Sequence, residues 1–201
     1  MLDYGVGVAY KQRMIQIDLE AGLISEARQV PSPNCDDRPP GCEPELIIIH
    51  GISLPPGEFG GQWIDRFFTN CLDPTVHPYF REIAELKVSS HLLIRRDGEL
   101  VQYVSLWQRA WHAGASCFQD RHGCNDFSIG IELEGVDTIA YTEKQYEVLC
   151  ATVRAMQGAI SSLANAPVVG HDEVAPDRKT DPGPAFDWQQ FRSKIAEVTV
   201  S

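Results

Sequence analysis

Glu45-Leu46-Ile47-Ile48-Ile49-His50 is a short apolar run that ends on an imidazole. It reads as a buried strand. The residues that follow, Leu54-Pro55-Pro56-Gly57-Glu58-Phe59-Gly60-Gly61, hold two prolines and three glycines, which defeat helix and strand alike. His50 therefore stands where a rigid strand hands over to an irregular loop, a common place for a functional side chain.

Working outward, a polar, proline-rich segment from Pro31 to Pro44 leads into this strand. Trp63, Phe67 and Phe68 have helical spacing, as do Tyr79, Ile83 and Leu86 after Pro78, and both helices should be short. His91 to Arg96 and Glu99 to Val104 flank Asp97-Gly98, which predicts a β-hairpin. Ser128 to Glu134 alternates. Ile129, Ile131 and Leu133 lie on one face, while Ser128, Gly130, Glu132 and Glu134 lie on a small, acidic face suited to a pocket wall. Thr142-Glu143-Lys144-Gln145 is a capping box opening the longest helix, whose inner stripe is Tyr146, Leu149, Cys150, Val153, Met156 and Ile160. Pro167 to Gly170 predicts a strand delivering His171, and Phe186 to Val198 a terminal helix. The class is α/β, one domain with a mixed central sheet flanked by helices.

Composition narrows the function. With 201 residues, 43% of them hydrophobic, the chain can bury one good core. A net charge of −11 excludes a nucleic-acid or anionic-membrane partner, either of which needs a basic surface. No apolar run approaches the roughly 18 residues of a membrane span, and Met1 to Glu20 lacks the centre of a signal peptide, so a cytoplasmic location is expected. A monomer is the expected state, though nothing in the sequence decides it. Cys35 and Cys42 have the same gap as Cys117 and Cys124, but the spacing suits neither a zinc knuckle nor a needed disulfide. Reduced thiols are expected, with Cys71 and Cys150 buried.

The richest chemistry lies in His171-Asp172-Glu173-Val174-Ala175-Pro176-Asp177-Arg178-Lys179-Thr180-Asp181-Pro182-Gly183-Pro184. His171 and Asp181 are candidate ligands of Zn2+, which in catalytic sites takes three protein ligands and leaves a position open, and His50 is the best third. Zinc would lower the pKa of its water toward neutrality. A carboxylate must then move the proton to the leaving nitrogen. Glu132 and Glu134 share a face but lie about 7 Å apart along the strand, so one of them reaches the water, and Glu132 is the candidate. Lys179, two residues before Asp181, would offset a developing oxyanion. The set describes amide hydrolysis.

At these residues, and at Val30 to Pro33, Ile52 to Gly61, Leu93 to Gly98, Ala110 to Gly114, Cys124 to Gly135 and Ala175 to Trp188, the chain resembles the zinc-dependent N-acetylmuramoyl-L-alanine amidases, which share a fold with phage lysozyme amidases and peptidoglycan recognition proteins. The resemblance spans about Ala27 to Phe191 and is strongest to the recycling branch. It implies zinc at His50, His171 and Asp181, with Lys179 and Glu132 catalytic, and it too picks Glu132 over Glu134. The implied substrate is an anhydro-muropeptide, an anhydro-muramyl sugar whose lactyl group is amide-linked to L-alanine. Trp111, His112, Lys87 and Gly51 are candidates for substrate contact. Gly51 stands where Asn is expected and Lys87 where Arg is expected, and Asp120-Arg121-His122-Gly123 departs from the family's basic segment. Residues 1–16 read as an extension before a zinc amidase domain over 17–201. The rivals are a non-catalytic binding module, a secreted wall-trimming amidase, and a generic zinc peptidase, whose His-Glu-x-x-His helix is missing from the sequence.

Overall fold

The computed structural model describes residues 15–196. Most of the expected N-terminal extension thus lies outside the described residues, while Ile15 packs on the core and the Gln16 amide donates to Glu26 at 2.9 Å.

Six strands form the central sheet: β1 (Arg28–Gln29), β2 (Leu46–Ile52), β3 (Leu92–Ile94), β4 (Leu100–Gln102), β5 (Ser128–Glu134) and β6 (Val168–Gly170). Their order is β6-β2-β5-β3-β4-β1, parallel throughout except where β3 meets β4. The sheet is mixed, as expected. Central β2 is covered on both faces, which is why it reads as continuous isoleucine rather than as an alternation.

The two faces divide the molecule. Ile47, Ile49, Ile129, Ile131 and Leu133 pack beneath α3 (Glu143–Ala159) and α5 (Trp188–Ala196), against Tyr146, Leu149, Val153, Met156 and Phe191. Thr142 caps α3 with a reciprocal box: the Gln145 amide donates to its hydroxyl at 3.2 Å, and the Thr142 amide donates to Gln145 Oε1 at 3.0 Å. The Gln145 side-chain amide also donates to the carbonyls of Ile94 and Glu134, so the cap fastens the helix to the sheet. On the opposite face Leu46 and Ile48 meet Phe127 and Val174, and Leu93 and Val101 meet α1 (Trp63–Phe68) and α2 (Pro78–Ile83). Toward the carboxyl ends of β2 and β5 this apolar packing gives way to His50 and Glu132, neighbours in the parallel register.

Four expectations are corrected. In the hairpin, Gly98 donates to the Arg95 carbonyl at 2.9 Å and takes φ +85°, so the turn is centred on Arg96-Asp97 with Gly98 as its left-handed exit. The terminal helix begins at Trp188, where Asp187 caps it by accepting from the Gln190 amide at 2.8 Å while Phe186 ahead of the cap is buried in the core; Glu197 and Val198 lie outside the described residues. Helix α2 stops at Ile83, leaving Leu86 exposed, and His77 is its cap, accepting from the Tyr79 amide at 3.2 Å. Cys71 is exposed beyond α1, whereas Cys150 is buried beneath α5. Among the described residues Cys35, Cys42, Cys71, Cys117 and Cys124 are free thiols.

Candidate metal centre and its cavity

His50 ends the apolar stretch of β2, and His171 opens α4 (His171–Val174), one residue past β6, the strand beside it. Parallel pairing therefore brings two imidazoles, distant in sequence, to the same edge of the sheet. Asp181 completes the group from the following loop. Its backbone is pinned twice: the Asp172 amide donates to the Asp181 carbonyl at 3.0 Å, and the Tyr141 hydroxyl donates to the Pro182 carbonyl at 3.0 Å.

The donor atoms converge. His50 Nδ1 and His171 Nδ1 are 2.9 Å apart, and Asp181 Oδ2 lies 3.3 Å from the first and 3.0 Å from the second. Three corners of a tetrahedron around zinc, with bonds of about 2.0 to 2.1 Å, would be separated by about 3.3 Å, so the triangle has nearly the required size. The outer nitrogen of each ring faces a partner: His50 Nε2 is 2.9 Å from His112 Nδ1, and His171 Nε2 is 3.4 Å from the Ala113 carbonyl. Burial lowers the pKa of His50 to about 4, so its ring is neutral at pH 7 and able to bind a metal. Burial pushes Asp181 upward, but its close contacts with His171 and His50 outweigh it and hold the carboxylate well below its ordinary range. Two neutral imidazoles and a carboxylate are a donor set that zinc accepts.

Glu132 stands beside His50 on β5. It is buried, its Oε2 has no hydrogen-bond partner, and its pKa lies well above the ordinary value because of burial, reinforced by Asp181 and opposed by Lys179. A buried carboxylate oxygen without a partner costs stability, and such groups concentrate where a reaction needs them. Glu134 points to the same side yet is consumed structurally: it accepts from the amides of Gly60 at 2.6 Å and Arg96 at 3.1 Å, with Arg95 at 3.5 Å. Glu134→Ala would leave those donors and the Arg95 charge uncompensated. It is expected to cost about 3 kcal/mol, read as a lower thermal midpoint, while activity falls far less than on removing Glu132.

His50, His171, Asp181, Glu132 and Lys179 all line one cavity of about 530 Å³. Gly51 lines it too, with its amide 3.4 Å from Asp181 Oδ2. A Cβ on Gly51 would come within 2.5 Å of the Tyr141 hydroxyl, so in this chain the tyrosine occupies the space a side chain would need. Two expected substrate contacts do not themselves line the cavity: Trp111, whose Nε1 donates to Asp36 at 3.1 Å, and exposed Lys87, whose neighbours Leu86 and Val88 do line it. His112 does line it, but both of its ring nitrogens already face protein partners.

Sequence reasoning missed the cavity's apolar arm, formed by Leu54, Phe67, Phe68, Tyr79, Ile83 and Leu86. The aromatic spacing of α1 and α2 was visible, yet core and pocket wall give the same pattern. Val136, Asp137 and Thr138, just past β5, supply another wall.

Comparison with known proteins places the chain in a family. A family model described as N-acetylmuramoyl-L-alanine amidase matches residues 40–184. The 1,6-anhydro-N-acetylmuramyl-L-alanine amidase AmpD of Escherichia coli strain K12 is 58% identical over 181 residues, covering 90% of this chain and 98% of that protein. The crystal structure of a selenomethionine derivative of AmpD superimposes with a TM-score of 0.86 at 57% identity, covering 90% of this chain and 99% of the other. A more distant neighbour is AmiD of E. coli in complex with anhydro-N-acetylmuramic acid-L-Ala-D-γ-Glu-L-Lys. It has a TM-score of 0.53 and 26% identity, covering 78% of this chain and 60% of that one. The chain belongs to the N-acetylmuramoyl-L-alanine amidase family.

Proposed function

We propose that this protein is a zinc-dependent amidase of cell-wall recycling, hydrolysing the bond between the lactyl group of 1,6-anhydro-N-acetylmuramic acid and the L-alanine of the peptide stem. The observation that carries this reading is the placement of an unpartnered buried Glu132 beside three converging donors, His50, His171 and Asp181, in one cavity. When bound there, zinc would supply Lewis acidity, polarising a carbonyl oxygen and acidifying water at neutral pH. Glu132 receives the proton of the attacking water and delivers it to the departing alanine nitrogen, a task matched by a carboxyl held above its usual pKa. Lys179 offsets the negative charge that develops on the scissile carbonyl oxygen. The cavity's apolar arm shields one flank of the substrate from water.

Similarity to AmpD, whose printed name specifies the anhydro sugar, supports the substrate class, and the AmiD complex is of the same chemical type. No helix among the described residues is long and apolar enough to cross a membrane. A cytoplasmic monomer acting on soluble fragments is the state that goes with the proposed recycling substrate.

The test offers the zinc-loaded protein three substrates: anhydro-muramyl tripeptide, the reducing muramyl tripeptide, and intact wall sacculi, with released peptide measured in each. The anhydro compound should be cleaved fastest, with each tenfold preference equal to about 1.4 kcal/mol of differential transition-state binding. Faster cleavage of sacculi would favour a wall-trimming amidase. No cleavage of any of the three would favour a binding module.

A further inference from the structure

We propose that His112 is a positioning residue that dictates which nitrogen of His50 faces the metal, through a hydrogen-bond chain that can run in only one direction. This rests on the zinc reading above. The chain begins at the Cys124 carbonyl, which can only accept. The Ser128 hydroxyl donates to it at 2.5 Å, leaving Ser128 Oγ with its lone pairs toward His112 Nε2, 3.3 Å away. His112 therefore carries its proton on Nε2, and its Nδ1 is an acceptor. That acceptor lies 2.9 Å from His50 Nε2, which must then hold the His50 proton. The lone pair of His50 Nδ1 is left facing His171 Nδ1 and Asp181 Oδ2. Were the chain reversed, a proton on His50 Nδ1 would point into the donor triangle and block it.

The seat for this ring is built by the sequence. A Cβ on Gly130 would lie 2.5 Å from His112 Nδ1 and 2.6 Å from its Cγ, so glycine is what admits the imidazole against β5. The small face of that strand thus has a defined use: Ser128 anchors the first link of the chain, Gly130 makes room, and Glu132 faces the cavity. The backbone is held as well. Asn125 Oδ1 accepts from the amides of His112 at 3.1 Å and Ala113 at 2.7 Å. The Ala113 carbonyl in turn faces His171 Nε2 at 3.4 Å, so this two-residue segment orients both imidazoles. Outer partners of this kind commonly contribute 10- to 100-fold in metal affinity.

The test compares zinc dissociation constants, by chelator competition, for wild type, His112→Leu, His112→Asn and Ser128→Ala. Thermal midpoints of the metal-free forms serve as folding controls. His112→Leu keeps bulk but removes the acceptor and should weaken zinc about 10- to 100-fold. His112→Asn can place an amide oxygen near the lost Nδ1 and should recover most of that affinity, which mere space-filling would not explain. In the zinc-loaded wild type, nitrogen NMR of the histidines should show the His50 proton on Nε2.

Several results would overturn the proposal. These are a His50 proton on Nδ1, zinc affinity in His112→Leu within about twofold of wild type against the expected outer-partner loss, or equal losses in the Leu and Asn variants. If His112→Leu fails to fold, Ser128→Ala decides, since unchanged affinity there breaks the chain at its first link. Failure of the wild type to take up zinc is a separate outcome that removes the underlying zinc reading with it.

Discussion

Glu132→Gln is expected to bind zinc like the wild type and to lose turnover by a factor on the order of a hundred or more. The amide is nearly the same size as the carboxyl, so the cavity and the His50, His171 and Asp181 cluster should be undisturbed. It cannot, however, take up and release the proton that amide hydrolysis requires. The fold should tolerate the change well, because Oε2 of Glu132 makes no hydrogen bond whose loss would be felt, and a neutral amide is easier to bury than a carboxylate. The measurement is kcat on the anhydro-muramyl tripeptide alongside metal content. Turnover equal to wild type would remove Glu132 from the mechanism and move attention to another group in the cavity.

The second large effect is expected from His171→Ala, which should abolish stoichiometric zinc and activity together. Two remaining ligands hold zinc poorly, and the lost imidazole also leaves Asp181 without one of its two histidine partners. A binding measurement separates this from simple unfolding. Zinc at 100 times its dissociation constant should stabilise the wild type by about 2.7 kcal/mol, which for a chain of this size raises the midpoint by about 5 to 10 °C. The variant should show no such rise. An unchanged zinc-dependent shift in His171→Ala would exclude that residue from the site.

Much of this was legible in the chain itself, for identifiable reasons. The Leu46 to Ile49 run and the alternation of Ser128 to Glu134 report burial directly, although of the small polar face of the second strand only Glu132 lines the cavity, Ser128 and Gly130 being packed on His112. The capping box before α3 is local chemistry, so sequence reading met no competing effect there. Long-range register was not legible. Nothing local says that His50 lies opposite Glu132, a pairing that decides which of two acidic residues sees the metal centre while Glu134 is spent on Gly60, Arg96 and Arg95. Gly130 announced a hollow, but the ring that fills it comes from another segment, and only the folded chain identifies it as His112. Trp111 and Lys87 illustrate the converse. Trp111 lies in a segment resembling the family and Lys87 at a position that departs from it, and neither lines the cavity, although Leu86 and Val88 on either side of Lys87 do.

The central claim, that the cluster of His50, His171 and Asp181 works as a zinc centre for amide hydrolysis, is tested most directly by titration. Purified protein is stripped by a chelator, the chelator is removed, and release of peptide from anhydro-muramyl tripeptide is followed as zinc is added back. Activity should be absent in the stripped protein and rise linearly to a plateau at one zinc per chain. Undiminished hydrolysis by protein shown to be free of metal would contradict the account.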